Sequence, residues 1–159
     1  MLGIGNLAVS REAHQELFDV GAIARLLPCI KSNDVLTRRA VAFALNNVSA
    51  NPSNHTACER LGIIRTLVGL LKETDKDTNL QAVLSIRHLC ESARCRNQLI
   101  DVQGIAPLLS LCGSEDIEVK RECAAALRNL SLSEQSKVAI VRDGGLDVLC
   151  DMMHSPGKP

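Results

Sequence analysis

The chain holds 159 residues with 18 basic and 18 acidic side chains, is 46% apolar, and has two Phe but no Trp or Tyr. Balanced charge gives no bulk pull toward nucleic acid or anionic membrane, and the aromatic platforms on which bases stack are missing. No apolar run approaches the roughly 20 residues of a membrane span, while a core of Leu, Ile, Val and Ala suits regular helix-on-helix packing.

Residues 1–9, "MLGIGNLAV", read as the tail of a third helix whose repeat is otherwise absent. Residues 10–50 divide into three helical pieces. Gly21 stops the first, Pro28 should kink or shorten the second, and a polar link "SNDV" leads to a third with Val41, Ala44, Leu45 and Val48 on one stripe. Residues 51–91 repeat the plan. Pro52 opens a first turn, "NHTACER" runs to Leu61–Gly62, "IIRTLVGLLK" follows, and after "ETDKDT" comes a stripe of Ala82, Ile86 and Leu89. Residues 92–132 do so again: Pro107 sits early in the second piece, "GSED" links, and "EVKRECAAALRNLS" carries Cys123, Ala126, Leu127 and Leu130 on one side. Residues 133–159 supply two helices, "SKVAIVRD" before Gly144 and then "LDVLCDMM", and stop where a third should begin.

The pieces keep one register. "GIGNLA" starts at residue 3, "ALNNVS" at 44, "SIRHLC" at 85 and "ALRNLS" at 126, so the period is 41 without insertion. Gly21, Gly62 and Gly144 share a slot in which Gln103 is the exception; Leu26, Leu67, Leu108 and Leu149 share another, and His14 and His55 stand one period apart. A fixed period in this range marks an array in which stacked neighbours bury what one unit cannot. The stripes are core. No stretch shows strand-like alternation.

With "NPSNHTACERLGIIRTLVGLL" closing on "AALRNLS", the chain resembles the armadillo repeat family over essentially its whole length. The resemblance implies an all-α, right-handed α-solenoid of three-helix repeats whose third helices line a concave groove. It also implies a ladder of polar side chains at Asn6, Asn47, His88 and Asn129 that contacts the main chain of an extended peptide. A carboxamide suits that task because it offers donors and an acceptor together. The competing reading is that these residues bridge adjacent helices. Nuclear import adaptors of the family carry Trp four residues before each ladder position. Here those slots hold Leu2, Phe43, Leu84 and Ala125, so no cage for Lys side chains forms and an import adaptor is disfavoured.

Around the ladder lie Gln81 and Glu122 seven residues before it, Arg39 and Arg121 eight before, and Asn46, Arg87 and Arg128 one before. Four arginines against fewer acids suggest a mildly basic groove suited to a peptide with some acidic character, unless Arg–Glu pairs cancel it.

The seven cysteines sit mostly inside or beside apolar stretches, which points to free thiols in a reducing, cytoplasmic setting. His88, Cys90 and Cys95 match no zinc spacing, so neither metal nor cofactor is expected. No P-loop, HExxH, GxSxG or GxGxxG is present, which argues against an enzyme. The expected function is a non-enzymatic adaptor or scaffold that binds an extended peptide. The alternative is a structural segment of a longer array that self-associates through apolar ends.

Overall fold

The computed structural model describes residues 9–154. They form α1 (His14–Asp19), α2 (Ala22–Leu26), α3 (Val35–Ser49), α4 (His55–Arg60), α5 (Ile63–Leu70), α6 (Lys76–Leu89), α7 (Ala93–Asp101), α8 (Ile105–Leu111), α9 (Ile117–Leu130), α10 (Glu134–Arg142) and α11 (Gly145–His154). Short 3-10 turns occupy Arg11–Ala13, Leu27–Lys31 and Pro52–Asn54, and no strand occurs among the described residues.

Each long helix starts at an aspartate. Asp34, Asp75 and Asp116 are extended N-caps whose carboxylates accept from Leu36 and Thr37, from Thr78, and from Glu118 and Val119 backbone N–H groups. These caps are 41 residues apart, inside the segments read above simply as polar links. Each satisfies donors that the first helical turn leaves unpaired.

The shorter helices break where the backbone must turn left-handed. Gly62 takes φ +66° between α4 and α5. Gln103 holds the same position between α7 and α8 at φ +56°, a conformation that costs a residue with a Cβ about 1 kcal/mol or more. Pro28 cannot donate to the preceding turn, so α2 ends at Leu26 and the chain goes on as a 3-10 turn.

Like packs on like. The third helices stack in the order α3, α6, α9, the first helices α4, α7 and α10 stack beside them, and the second helices α5 and α8 fill the space between. One continuous core results, running from Leu17 to Ile140 and including Ile23, Leu45, Leu67, Ile86, Leu108 and Leu130. Burial of each such side chain contributes about 1.5–3 kcal/mol.

A buried donor closes the joint between the third helix and the next repeat after α3 and after α6. His55 Nε2 donates to the Ser49 carbonyl at 2.9 Å, at the end of α3. One period later Arg96 Nη1 donates to the Cys90 carbonyl at 2.7 Å and the Glu91 carbonyl at 3.1 Å, at the end of α6. Both occupy the His14 slot. They quench carbonyls that the last helical turn leaves open. Beside His55, Asn54 Nδ2 donates to the Val48 carbonyl at 2.8 Å and also meets His14 Nδ1 at 2.9 Å.

Candidate functional site

The third helices bring the ladder positions Asn47, His88 and Asn129 onto α3, α6 and α9, each half-buried. Asn6, together with Leu2 in the slot four residues before it, lies outside the described residues.

Asn129 is a helix bridge. Its Nδ2 donates to the Arg87 carbonyl at 3.0 Å, fastening the last turn of α9 to the last turn of α6. A carboxamide has two N–H groups and an oxygen, so this bond leaves hydrogen-bonding capacity for a second partner. His88 is engaged differently. Its Nε2 lies 2.8 Å from Arg87 Nη2, and because guanidinium only donates, this nitrogen is the acceptor. Its Nδ1 is buried without a hydrogen-bond partner. Burial first, and the Arg87 charge second, hold the imidazole below its usual pKa and keep it neutral.

The residues expected to face a ligand as charges mostly face each other. Asn46 Nδ2 donates to Gln81 Oε1 at 2.9 Å between α3 and α6. In the same two slots one period later, Arg87 Nε meets Glu122 Oε2 at 3.0 Å between α6 and α9. One geometric pair is thus an amide contact in one joint and an ion pair in the next. Arg121 lies 3.4 Å from Glu122 Oε1. Arg39 reaches from α3 to the cap of α6, with Nε 3.1 and 3.0 Å from the two Asp75 oxygens and Nη1 2.7 Å from Asp77.

The expected basic face is therefore corrected by the geometry. Arg39, Arg87 and Arg121 are paired with carboxylates from a neighbouring helix or residue. Arg128 is exposed and forms no ion pair among the described residues. In the slots four before the ladder, Phe43 is 40% exposed, and Leu84 and Ala125 are half-buried. Phe43 presents the large apolar surface of this row.

Among the described residues no three His, Cys, Asp or Glu side chains are placed to hold a metal, and no helix is long and apolar enough to cross a membrane. All seven cysteines are free. Burial pushes the Cys58 and Cys90 thiols up to about 12, so both are protonated and unreactive at neutral pH. Two surface depressions meet at Gln103 and Ala106 and are lined by no third-helix residue.

Comparison with known proteins agrees with this architecture. The Armadillo/beta-catenin-like repeat family model matches residues 92–132. Vacuolar protein 8 of Schizosaccharomyces pombe is 28% identical over 156 residues, covering 97% of this chain but only 28% of the relative. The chain thus spans about a quarter of the length of such curated relatives. Among solved structures, a computationally designed armadillo repeat protein for modular peptide recognition superposes with TM-score 0.91 at 22% identity, over 97% of this chain and 66% of that one. A designed armadillo repeat protein in complex with the peptide (KR)4 superposes with TM-score 0.90 at 19% identity, over 98% and 67% of the two chains. With its 41-residue period, three-helix units and shared core, the chain is an armadillo repeat protein, folded as an α-solenoid.

Proposed function

We propose that the chain is a non-catalytic protein-interaction module that holds an extended segment of a partner protein along the face of α3, α6 and α9. The observation that supports this most is the row itself. Asn47, His88 and Asn129 recur every 41 residues on stacked helices, with Phe43 and Leu84 four residues before the first two. Three helices spaced about 8–10 Å apart, met by a strand rising about 3.3 Å per residue, accommodate a segment of roughly six to nine residues.

Main-chain hydrogen bonds and apolar contact at Phe43 carry this recognition, because most of the charges on the face cancel in pairs. Electrostatic preference is confined to the Arg128 end, where an acidic residue of the peptide fits. One structural neighbour holds a (KR)4 peptide; here, with Arg128 exposed and no Trp in the chain, a ligand of that charge is disfavoured. Seven free thiols suit a reducing intracellular compartment.

Selection of peptides from a random library on the full chain tests the proposal. Enriched peptides should slow amide hydrogen exchange in α3, α6 and α9. Enrichment of none, or protection confined to α4, α5, α7 and α8, would overturn it.

A further inference from the structure

Three buried polar atoms without a hydrogen-bond partner gather at the joint between α6 and α9: His88 Nδ1, Arg87 Nε and Glu122 Oε2. Arg87 Nε and Glu122 Oε2 lie 3.0 Å apart, so they attract as charges without the alignment of a hydrogen bond. The same two slots of the preceding joint hold a neutral, aligned contact, Asn46 Nδ2 to Gln81 Oε1 at 2.9 Å. The backbone of Arg87 is fixed, because Asn129 Nδ2 holds its carbonyl at 3.0 Å. Freedom at this joint is therefore confined to side chains.

The His88 ring holds that freedom in check. Its Nε2 accepts from Arg87 Nη2 at 2.8 Å, so the neutral ring carries its proton on Nδ1. A second proton can enter only at Nε2. There it sets donor against donor and cation against cation, so the imidazolium and the present position of the guanidinium exclude each other. The charged surroundings do not cancel this conflict. Arg87 and Glu91 face the ring from the end of α6, Glu122 from α9 and His55 from α4. Arg121 of α9 is drawn to Glu122, and Arg128 is exposed. Arg96 of α7 is turned to the Cys90 and Glu91 carbonyls. Arg38 and Arg39 of α3 are engaged with Glu73 and Asp75, at the opposite, N-terminal end of α6.

We propose that His88 is a proton-operated switch on the third-helix face: uptake of one proton from solvent at Nε2 drives the Arg87 guanidinium out of the α6–α9 joint and onto the face. Arg121 stays beside Glu122, so the carboxylate keeps a cation when Arg87 leaves. Before proton uptake the middle of the face is a neutral imidazole beside a paired arginine. After it, His88 and the released Arg87 stand as two neighbouring cations, and a segment with an acidic residue at this position is favoured. That regulation rests on the peptide-binding proposal; the proton-coupled movement does not.

The test is a nuclear magnetic resonance titration of the full chain, isotope-labelled on nitrogen, between about pH 8 and pH 5. At the alkaline end His88 should carry its proton on Nδ1 alone. Its midpoint should lie below the ordinary value of about 6.5, and the Arg87 Nε signal should move with that same midpoint. Arg87→Met should raise the midpoint. A proton on Nε2 at the alkaline end, an Arg87 signal indifferent to the His88 titration, or an unchanged midpoint in Arg87→Met would each overturn the switch. For its role on the face, an acidic library-selected peptide without His should bind about three- to tenfold more tightly near pH 5.5 than near pH 7.5. His88→Asn, whatever its own affinity, should lose that dependence. Equal pH dependence in His88→Asn, or selection near pH 5.5 that enriches no acidic peptide, would overturn the regulation and leave the groove standing. A library that yields no peptide at any pH would remove the groove, and the titration would still decide the movement of Arg87.

Discussion

Asn129 donates its side-chain amide to the backbone carbonyl of Arg87, tying the ends of two neighbouring third helices at 3.0 Å. The same side chain is a ladder position of the proposed groove, so its substitution has two consequences. Asn129→Ala leaves the Arg87 carbonyl without its side-chain donor and should cost about 1 kcal/mol in chemical denaturation. Any loss of peptide affinity in that variant mixes this structural effect with a lost contact, which makes exposed Phe43 the cleaner groove variant.

Asp75 serves two helices at once, capping α6 and receiving Arg39 from α3. Asp75→Ala should cost about 1–2 kcal/mol, most of it from the lost cap, whereas Arg39→Ala, which removes only a partly exposed pair, should cost less than about 1 kcal/mol. Urea denaturation of both variants separates the two contributions.

The same residue gives a pH signature. The hydrogen bond from Arg39, helped by Thr78 and opposed by burial, holds the Asp75 carboxyl well below the usual carboxylate range. The folded state therefore binds the proton less readily than the unfolded chain, whose carboxyl titrates near about 3.9. The stabilisation is complete above that value and is lost as pH falls toward the depressed folded value. Between about pH 5 and pH 2 the melting temperature of Asp75→Asn should fall less steeply than that of the unmodified protein.

Arg96 is buried and supplies the donors that close the end of α6. Arg96→Ala orphans the Cys90 and Glu91 carbonyls and should cost about 1–3 kcal/mol. Arg96→His should recover part of that loss, because His55 performs the same task one period earlier. Thermal melts of the two variants check the order.

Gln103 is a non-glycine residue in a left-handed turn. Gln103→Gly should stabilise by about 1 kcal/mol, raising the melting temperature by about 2–4 °C. Gly62→Ala should shift it the other way, although a Cβ there meets nothing within 4 Å. That contrast isolates backbone conformation from packing.

The period, the helix stripes and the glycine slot were legible because each depends on residue spacing along one chain. The cross-helix pairs were not. Asn46 meets Gln81, and Arg87 meets Glu122, only once the rotation of α3, α6 and α9 about their axes is known. Arg39 therefore read as a groove cation although Asp75, on the next helix, neutralises it. The capping aspartates carry a signal in the sequence: Asp34, Asp75 and Asp116 stand one period apart, each immediately before a third helix. The His55 and Arg96 closures were half visible. The slot recurs, but His and Arg share a donor function that residue identity alone conceals.

The most direct measurement is the affinity of a library-selected peptide for the full chain beside its Phe43→Ala and Arg128→Glu variants. Neither substitution touches the core, since both side chains are exposed. The expected result is affinity reduced about tenfold or more in Phe43→Ala, with Arg128→Glu weakening acidic peptides and sparing neutral ones. Unchanged affinity in both variants, with the fold intact, would contradict binding along α3, α6 and α9.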